Sequence, residues 1–223
     1  VSKTEEKPAP RRLKPEERRR QAIEATLACL ARDGAPGTGI RQVAREMGVA
    51  PSLVNYLFGS RSQLFLAAYE TLAARSLEDL AAAVGDAAAP PRARLEAMVE
   101  RALARQWLSD EVIGAYLALW ELSRTEPLLR GAFRRFAARR ARLIEGLLAA
   151  VAAESGARIE LDLIATALPI FLDGLWLELG LDPGHIPRKR ARAMAWAWLE
   201  AALPPRPQRG RGSGRGSRVA RDN

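Results

Sequence analysis

The sequence predicts an all-α protein, and three observations predict it. Ala, Leu and Arg dominate the chain, while the β-branched and aromatic residues that favour strands are sparse, aromatics making up only 6% of it. Apolar residues recur at intervals of three and four, as at Ile23, Leu27 and Leu30, and no stretch alternates apolar with polar residues as a half-buried strand does. Helix punctuation is also regular, with proline or a Ser/Asp cap ahead of the periodic segments and glycine behind them.

Each element follows from these signals. Pro15, then Glu16 and Glu17, opens a first helix, because proline suits the first turn and acids suit the positive end of the dipole. It stops at Asp33-Gly34, and Ala35-Pro36-Gly37 reads as a turn. Thr38 is placed to cap a short second helix running to about Met47, with Ile40, Val43, Ala44 and Met47 inside and Gly48 as its stop. Pro51 starts a third short helix that reaches about Leu57. Ser60 with Gln63 three residues on makes a capping box for a long fourth helix, to about Val84. After Pro90-Pro91, helices are expected at about 91–107, 110–124, 127–154, 159–180 and 187–202. Pro169 should kink the fourth of these.

Charge bounds the partners. Of the formal +9, residues 1–20 supply +4 and residues 204–223 supply +5, so the body between is formally neutral. A neutral body with cationic flanks suits a folded module that meets a polyanion. The expected organisation is a disordered basic arm (1–14), a small N-terminal helical unit (15–64), a larger helical unit (65–203) and a disordered Arg/Gly tail (204–223).

Other classes find little support. Cys29 is the single cysteine, so no disulfide forms within the chain, in keeping with a reducing cytoplasm. With His185 the single histidine, a Cys/His zinc site cannot be built, and neither metal nor cofactor is expected. No Gly-rich phosphate loop or nucleophile elbow is visible, so an enzyme is not expected. The longest stretch free of charge is the 14 residues from Met47 to Ser60, short of the roughly 20 apolar residues that span a membrane.

The informative segment is TGIRQVAREMGVAPSLVNYLFGSRSQL, Thr38 to Leu64. Two short helices joined by a tight glycine turn make a helix-turn-helix, in which the first braces the second against the DNA major groove. Val43, Val49, Val54 and Phe58 are placed to form its core, while Ser52, Asn55 and Tyr56 fall on the opposite side of the third helix. Asparagine can pair with adenine, and tyrosine can reach a phosphate or sugar. Arg41, with Thr38, sits at the start of the second helix, and Arg61 at the start of the fourth. In the arm and first helix, Arg11, Arg12, Lys14 and Arg18 to Arg20 can reach phosphate or minor groove, or stay solvated.

These residues resemble the TetR family of bacterial regulators. The resemblance runs from Ile23 and the Ala-rich stretch ending at Gly34, through Ile40-Arg41-Gln42-Val43-Ala44 and Gly48-Val49, to Phe58-x-Ser60-Arg61-x-x-Leu64. It implies an N-terminal three-helix helix-turn-helix domain joined to a larger helical ligand-binding and dimerisation domain. It implies DNA contacts from Thr38, Arg41, Ser52, Asn55, Tyr56 and Arg61, the last to a phosphate. The sequence departs from the family pattern at Ala50, where Ser or Thr is usual, at Asn55, where Tyr is common, and at Leu57, where Tyr or His often holds phosphate.

A looser resemblance points to the BetI-type branch. It rests on Ile23-Glu24-Ala25-Thr26-Leu27, Trp120-Glu121-Leu122, the basic Phe136-to-Arg142 segment and Phe171-Leu172-Asp173-Gly174-Leu175-Trp176-Leu177. That branch includes choline-responsive repressors, which implies a small-molecule effector, choline-like, held by Trp107, Trp120, Phe171 and Trp176. Aromatic faces do bind quaternary ammonium groups, although tryptophans at helical spacing also fill cores. Asp173 either faces a cationic ligand or satisfies a neighbouring backbone group or arginine.

The expected mechanism is repression of a double-stranded operator, relieved when the effector shifts the fourth helix. Two recognition helices read half-sites about 34 Å apart, so a homodimer is expected. The rows Leu161, Ile164, Leu168, Phe171, Leu175, Leu179 and Ala191, Met194, Ala195, Trp198, Ala202 suit a seam made by the last two helices, or packing within one chain. A helical interaction module that does not read DNA sequence is the alternative function.

Overall fold

Proline placement sets where several helices begin. In the computed structural model, which describes residues 14–85, 87–156 and 160–203, four helices carry proline in their first turn. They are α1 (Pro15–Gly37), α3 (Pro51–Phe58), α5 (Pro91–Ala102) and α7 (Pro127–Ser155). The others are α2 (Ile40–Glu46), α4 (Arg61–Val84), α6 (Asp110–Leu122), α8 (Leu161–Leu181) and α9 (Arg188–Ala202). The described residues contain no strand. The segments expected as arm and tail, with Arg11 and Arg12, lie outside the described residues apart from Lys14.

The N-terminal elements follow the sequence reading closely. Helical geometry in α1 breaks at Gly34 (φ 65°, ψ −178°), and Ala35–Gly37 form one further turn. Gly48 ends the α2–α3 turn at φ 66°, a backbone region that costs an L side chain about 1–2 kcal/mol. Ser60 caps α4 by accepting from the Gln63 amide at 3.2 Å. Thr38, in contrast, does not cap α2. Gly39 holds that position, and the Thr38 hydroxyl donates back to the Gly34 carbonyl at 2.8 Å. The threonine hydroxyl thereby ties down the carbonyl at the Gly34 break.

Two apolar clusters organise the molecule. In the first, Ile23, Leu27 and Leu30 of α1 meet Val43 and Ala44 of α2, Val54 and Phe58 of α3, and Leu64 and Phe65 of α4. Ala115 and Leu119 of α6 and Leu129 and Phe136 of α7 belong to the same cluster. The contact of α6 with α1 is close: a Cβ on Gly114 would lie 2.9 Å from the Ala31 carbonyl oxygen. The second cluster joins the far half of α4 to α5, α7, α8 and α9 through residues such as Leu95, Leu148, Leu168 and Leu199.

One boundary changes in the C-terminal half. Helix α5 ends at Ala102 rather than near 107, and a 3₁₀ turn follows at Arg105–Trp107. Tertiary bonds win there: the Leu103 carbonyl accepts from Arg188 Nε at 2.7 Å, and the Trp107 indole donates to Asp79 at 2.8 Å. Helix α8 runs unbroken through Pro169. Its apolar row Ile164, Leu168, Leu175 and Leu179 is buried within the same chain, as is Ala195 of α9. The apolar residues left outside are Leu163, Ile170 and Leu181 of α8 and Met194 of α9.

By length and composition α8 is apolar enough to cross a membrane, with 21 residues and mean hydropathy 1.5. Here it packs against α7 and α9, and Asp173 on it pairs with Arg140 at 2.6 Å.

Candidate nucleic-acid interface and ligand cavity

The third helix has two opposite faces. Val54 and Phe58 are buried, which locks α3 against α1, α2 and α4. Ser52, Asn55 and Tyr56 are exposed, Tyr56 to 84%. A tyrosine this exposed has lost most of its burial free energy, so the fold gains little from its ring. Arg41 is exposed one residue into α2. The cap of α3 is Ala50, which makes no side-chain bond.

Two of the sequence candidates take other places. Thr38 is 1% exposed with its hydroxyl turned to Gly34, so its side chain is not presented outward. Arg61 folds back instead of reaching out. Its Nε donates to the Thr38 carbonyl at 2.9 Å, its Nη2 to the Ala35 carbonyl, and its guanidinium lies 4.7 Å from the Phe65 ring centre. It thereby gives the Thr38 carbonyl a donor and adds a second to the Ala35 carbonyl, which also accepts from the Thr38 amide at 3.3 Å. Arg19 ties α1 to α3 in the same way, donating to the Leu57 carbonyl at 2.6 Å and lying over Phe58 at 4.3 Å. Nothing in the spacing of these residues announces such long-range arginine–carbonyl bonds.

A cavity of about 430 Å³ lies among α4, α5, α6, α7 and α8. Trp107, Trp120 and Trp176 line it, as the sequence suggested. Phe171 does not. It stacks on Trp198 of α9 at 5.6 Å, because that position on α8 faces the neighbouring helix. The residues that complete the wall were not singled out as ligand residues: Tyr69, Tyr116, Phe136 and Arg140, with Asp173, which pairs with an arginine as one of its two readings had it. Asp173 lines the cavity and also accepts two hydrogen bonds from Arg140, at 2.6 and 2.7 Å.

The wall is held by its own contacts. The Trp176 indole donates to the Trp107 carbonyl at 2.7 Å, and Tyr116 meets the Trp176 ring edge-on at 5.1 Å. Tyr69 stacks on Phe133 at 3.9 Å. Burial disfavours ionisation here. It pushes the Tyr116 phenol up to about 12, the Asp173 charge adding to the effect and Arg140 opposing it. The Tyr69 phenol is also held well above its ordinary range, chiefly by burial. Burial works against the Arg140 charge, but its bonds to Asp173 outweigh this and the guanidinium stays protonated. The arrangement can hold a small organic molecule against aromatic faces, with one ion pair in the wall.

Comparison with known proteins places both halves. Residues 22–68 match the family model of bacterial regulatory proteins of the tetR family. Residues 91–204 match that of the C-terminal part of the BetI-type transcriptional repressor. The HTH-type transcriptional regulator BetI of Burkholderia mallei is 32% identical over 178 residues, covering 78% of this chain and 87% of the relative. The BetI of Rhizobium meliloti is 29% identical over 165 residues, covering 74% and 78%. Among solved structures, a Pseudomonas aeruginosa chain described as a transcriptional regulator superposes with TM-score 0.79 at 32% identity, covering 85% of this chain and 92% of its own. A Saccharomonospora viridis regulator crystallised in complex with choline shares the fold, with TM-score 0.76 at 22% identity and coverage of 86% and 100%.

Proposed function

This chain belongs to the tetR family of bacterial regulatory proteins, in the BetI-type branch, and is a DNA-binding transcriptional regulator; on that premise we propose that it represses as a homodimer and is released by a choline-like quaternary ammonium effector. Regulators of this type bind DNA operators, dimerise and bind small molecules. The finer reading assigns these roles to particular residues. Residues 15–64 form the reading unit and residues 65–203 the effector and dimer unit, working in the bacterial cytoplasm. Arg41, Ser52, Asn55 and Tyr56 touch the operator, Asn55 and Ser52 at base edges and Arg41 and Tyr56 at the backbone. Arg61 braces the turn ahead of α2 and acts on DNA only by positioning it. Exposed apolar residues of α8 and α9 meet their counterparts in a four-helix seam.

The observation that carries the reading is the two-faced α3, with Tyr56 84% exposed while Val54 is fully buried. The effector assignment draws on the aromatic wall of the cavity, whose ring faces suit a cation. Coupling has a physical route. Tyr69 of the cavity and Arg61 of the brace stand eight residues apart on one helix, about 12 Å. Helix α6 carries Tyr116 on the cavity and Ala115 against α1. Expansion of the cavity therefore moves both elements that hold the reading unit.

The test is a gel shift on the chain's own upstream region with increasing choline. Wild type retards the fragment and choline releases it, with a coupling of about 1–3 kcal/mol. Tyr56→Ala binds about tenfold or more weakly without a change in melting temperature. Retardation that choline leaves untouched overturns the effector assignment, and a fully active Tyr56→Ala overturns the reading face.

A further inference from the structure

One chain leaves part of its cavity wall open to solvent. Trp120 of α6 lines the cavity and is 49% exposed, and Ile170 of α8 lines it and is 66% exposed. Gly174, one turn further along α8, lines it as well and is exposed. A Cβ there would meet no atom within 4 Å among the described residues. These residues mark an opening between α6 and α8. The same edge of α8 carries a second pattern. Leu163, Ile170 and Leu177 stand seven residues apart, which sets them on one stripe of the helix, and Leu163 is 60% exposed. Ile170 and Leu177 of that stripe both line the cavity. A stripe with this spacing is what a second helix packs against, so a helix seated on it would also stand beside the cavity opening.

We propose that a second copy of this chain closes the cavity, with a helix of its C-terminal pair resting on the Leu163–Ile170–Leu177 stripe as the missing wall. The inference rests on the dimer seam and the effector cavity proposed above and adds that the two are one site, complete only in the dimer. A second copy is the occupant because regulators of this type dimerise, and because Met194 of the neighbouring α9 is exposed together with the α8 stripe. Closure has a chemical consequence. Water leaves the opening, and aromatic faces hold a cation more strongly once it is desolvated. Linkage then runs in both directions: if pairing of the subunits tightens the effector, the effector tightens the pairing by the same factor.

The experiment compares the full chain as a dimer and as a monomer, the monomer made by Leu163→Glu with Met194→Glu, neither of which lines the cavity. Gly174→Cys puts a thiol at the opening without crowding its own chain, and wild type, whose Cys29 is buried, sets the labelling background. A maleimide labels Gly174→Cys about tenfold or more slowly in the dimer than in the monomer background. Calorimetric titration gives choline an affinity about tenfold or more higher for the dimer, and choline slows dissociation of the dimer in sedimentation. Should the double variant fail to fold, dilution of the wild-type background through its dissociation range replaces it, and protection of the thiol is lost as the dimer dissociates. If choline binds neither form while the thiol is protected in the dimer, the closing partner stands and the choline assignment falls. Equal labelling of dimer and monomer, equal choline affinity in the two, or a double variant that remains dimeric overturns the proposal.

Discussion

At the scale of single residues, two arginines that look alike in sequence do different work. Arg41 is exposed on α2, whereas Arg61 is spent on the carbonyls of Thr38 and Ala35. Their alanine variants therefore separate. Arg41→Ala lowers operator affinity and reduces the slope of log K against log salt by about 0.9, the share of one phosphate contact, while its melting temperature holds. Arg61→Ala lowers stability by about 1–3 kcal/mol, because the Thr38 carbonyl loses its donor and the Ala35 carbonyl one of its two, and leaves the salt slope unchanged. Salt-dependent anisotropy with labelled operator and thermal melts decide between them. A lower salt slope in Arg61→Ala returns that residue to the phosphate. Thr38 belongs with Arg61: its type matched the family pattern, but the Gly34 break claimed its hydroxyl.

At the scale of elements, glycine in two helices has opposite meanings. On α6, Gly114 lets α1 approach, and a Cβ there meets the Ala31 carbonyl oxygen at 2.9 Å. On α7, Gly146 has nothing within 4 Å of that position. Gly114→Ala should lower stability by about 1–3 kcal/mol through overpacking, and Gly146→Ala should raise it by about 0.5–1 kcal/mol through helix propensity. Urea unfolding measures both, and the same sign for the two would contradict the packing described for α6. The cavity helices also impose a pH dependence. An unfolded tyrosine titrates near 10, whereas Tyr116 folded titrates at about 12. Between those values the unfolded chain has released a proton that the folded chain keeps, so stability falls as pH rises. Urea midpoints should drop from about pH 9 to about pH 11, and less steeply in Tyr116→Phe.

At the scale of the whole molecule, the exposed apolar residues Leu163, Ile170, Leu181 and Met194 sit on the two C-terminal helices. A Leu163→Glu, Met194→Glu double variant should sediment as a monomer and lose operator binding, because one recognition helix alone holds DNA weakly. Its helix content should match wild type, since both side chains already lie outside the core. A dimer that survives these charges places the seam elsewhere. One apolar row of α8 fills the chain's own core, and the other is exposed, where the proposed seam would cover it.

Helix positions, the glycine turn, the outward face of α3 and three of the cavity tryptophans were all legible in one dimension. Caps, prolines and periods of three or four act within a turn or two of chain, so their physics is local. The arginine clamps, the exchange of Phe171 for Tyr69 and Tyr116, and the Arg140–Asp173 pair were decided only when helices met. Trp176 finds the Trp107 carbonyl across 69 residues, and Arg140 finds Asp173 across 33. Which side chains converge at such separations depends on how each helix is rotated against its neighbours, and that rotation is set by packing that no local pattern encodes.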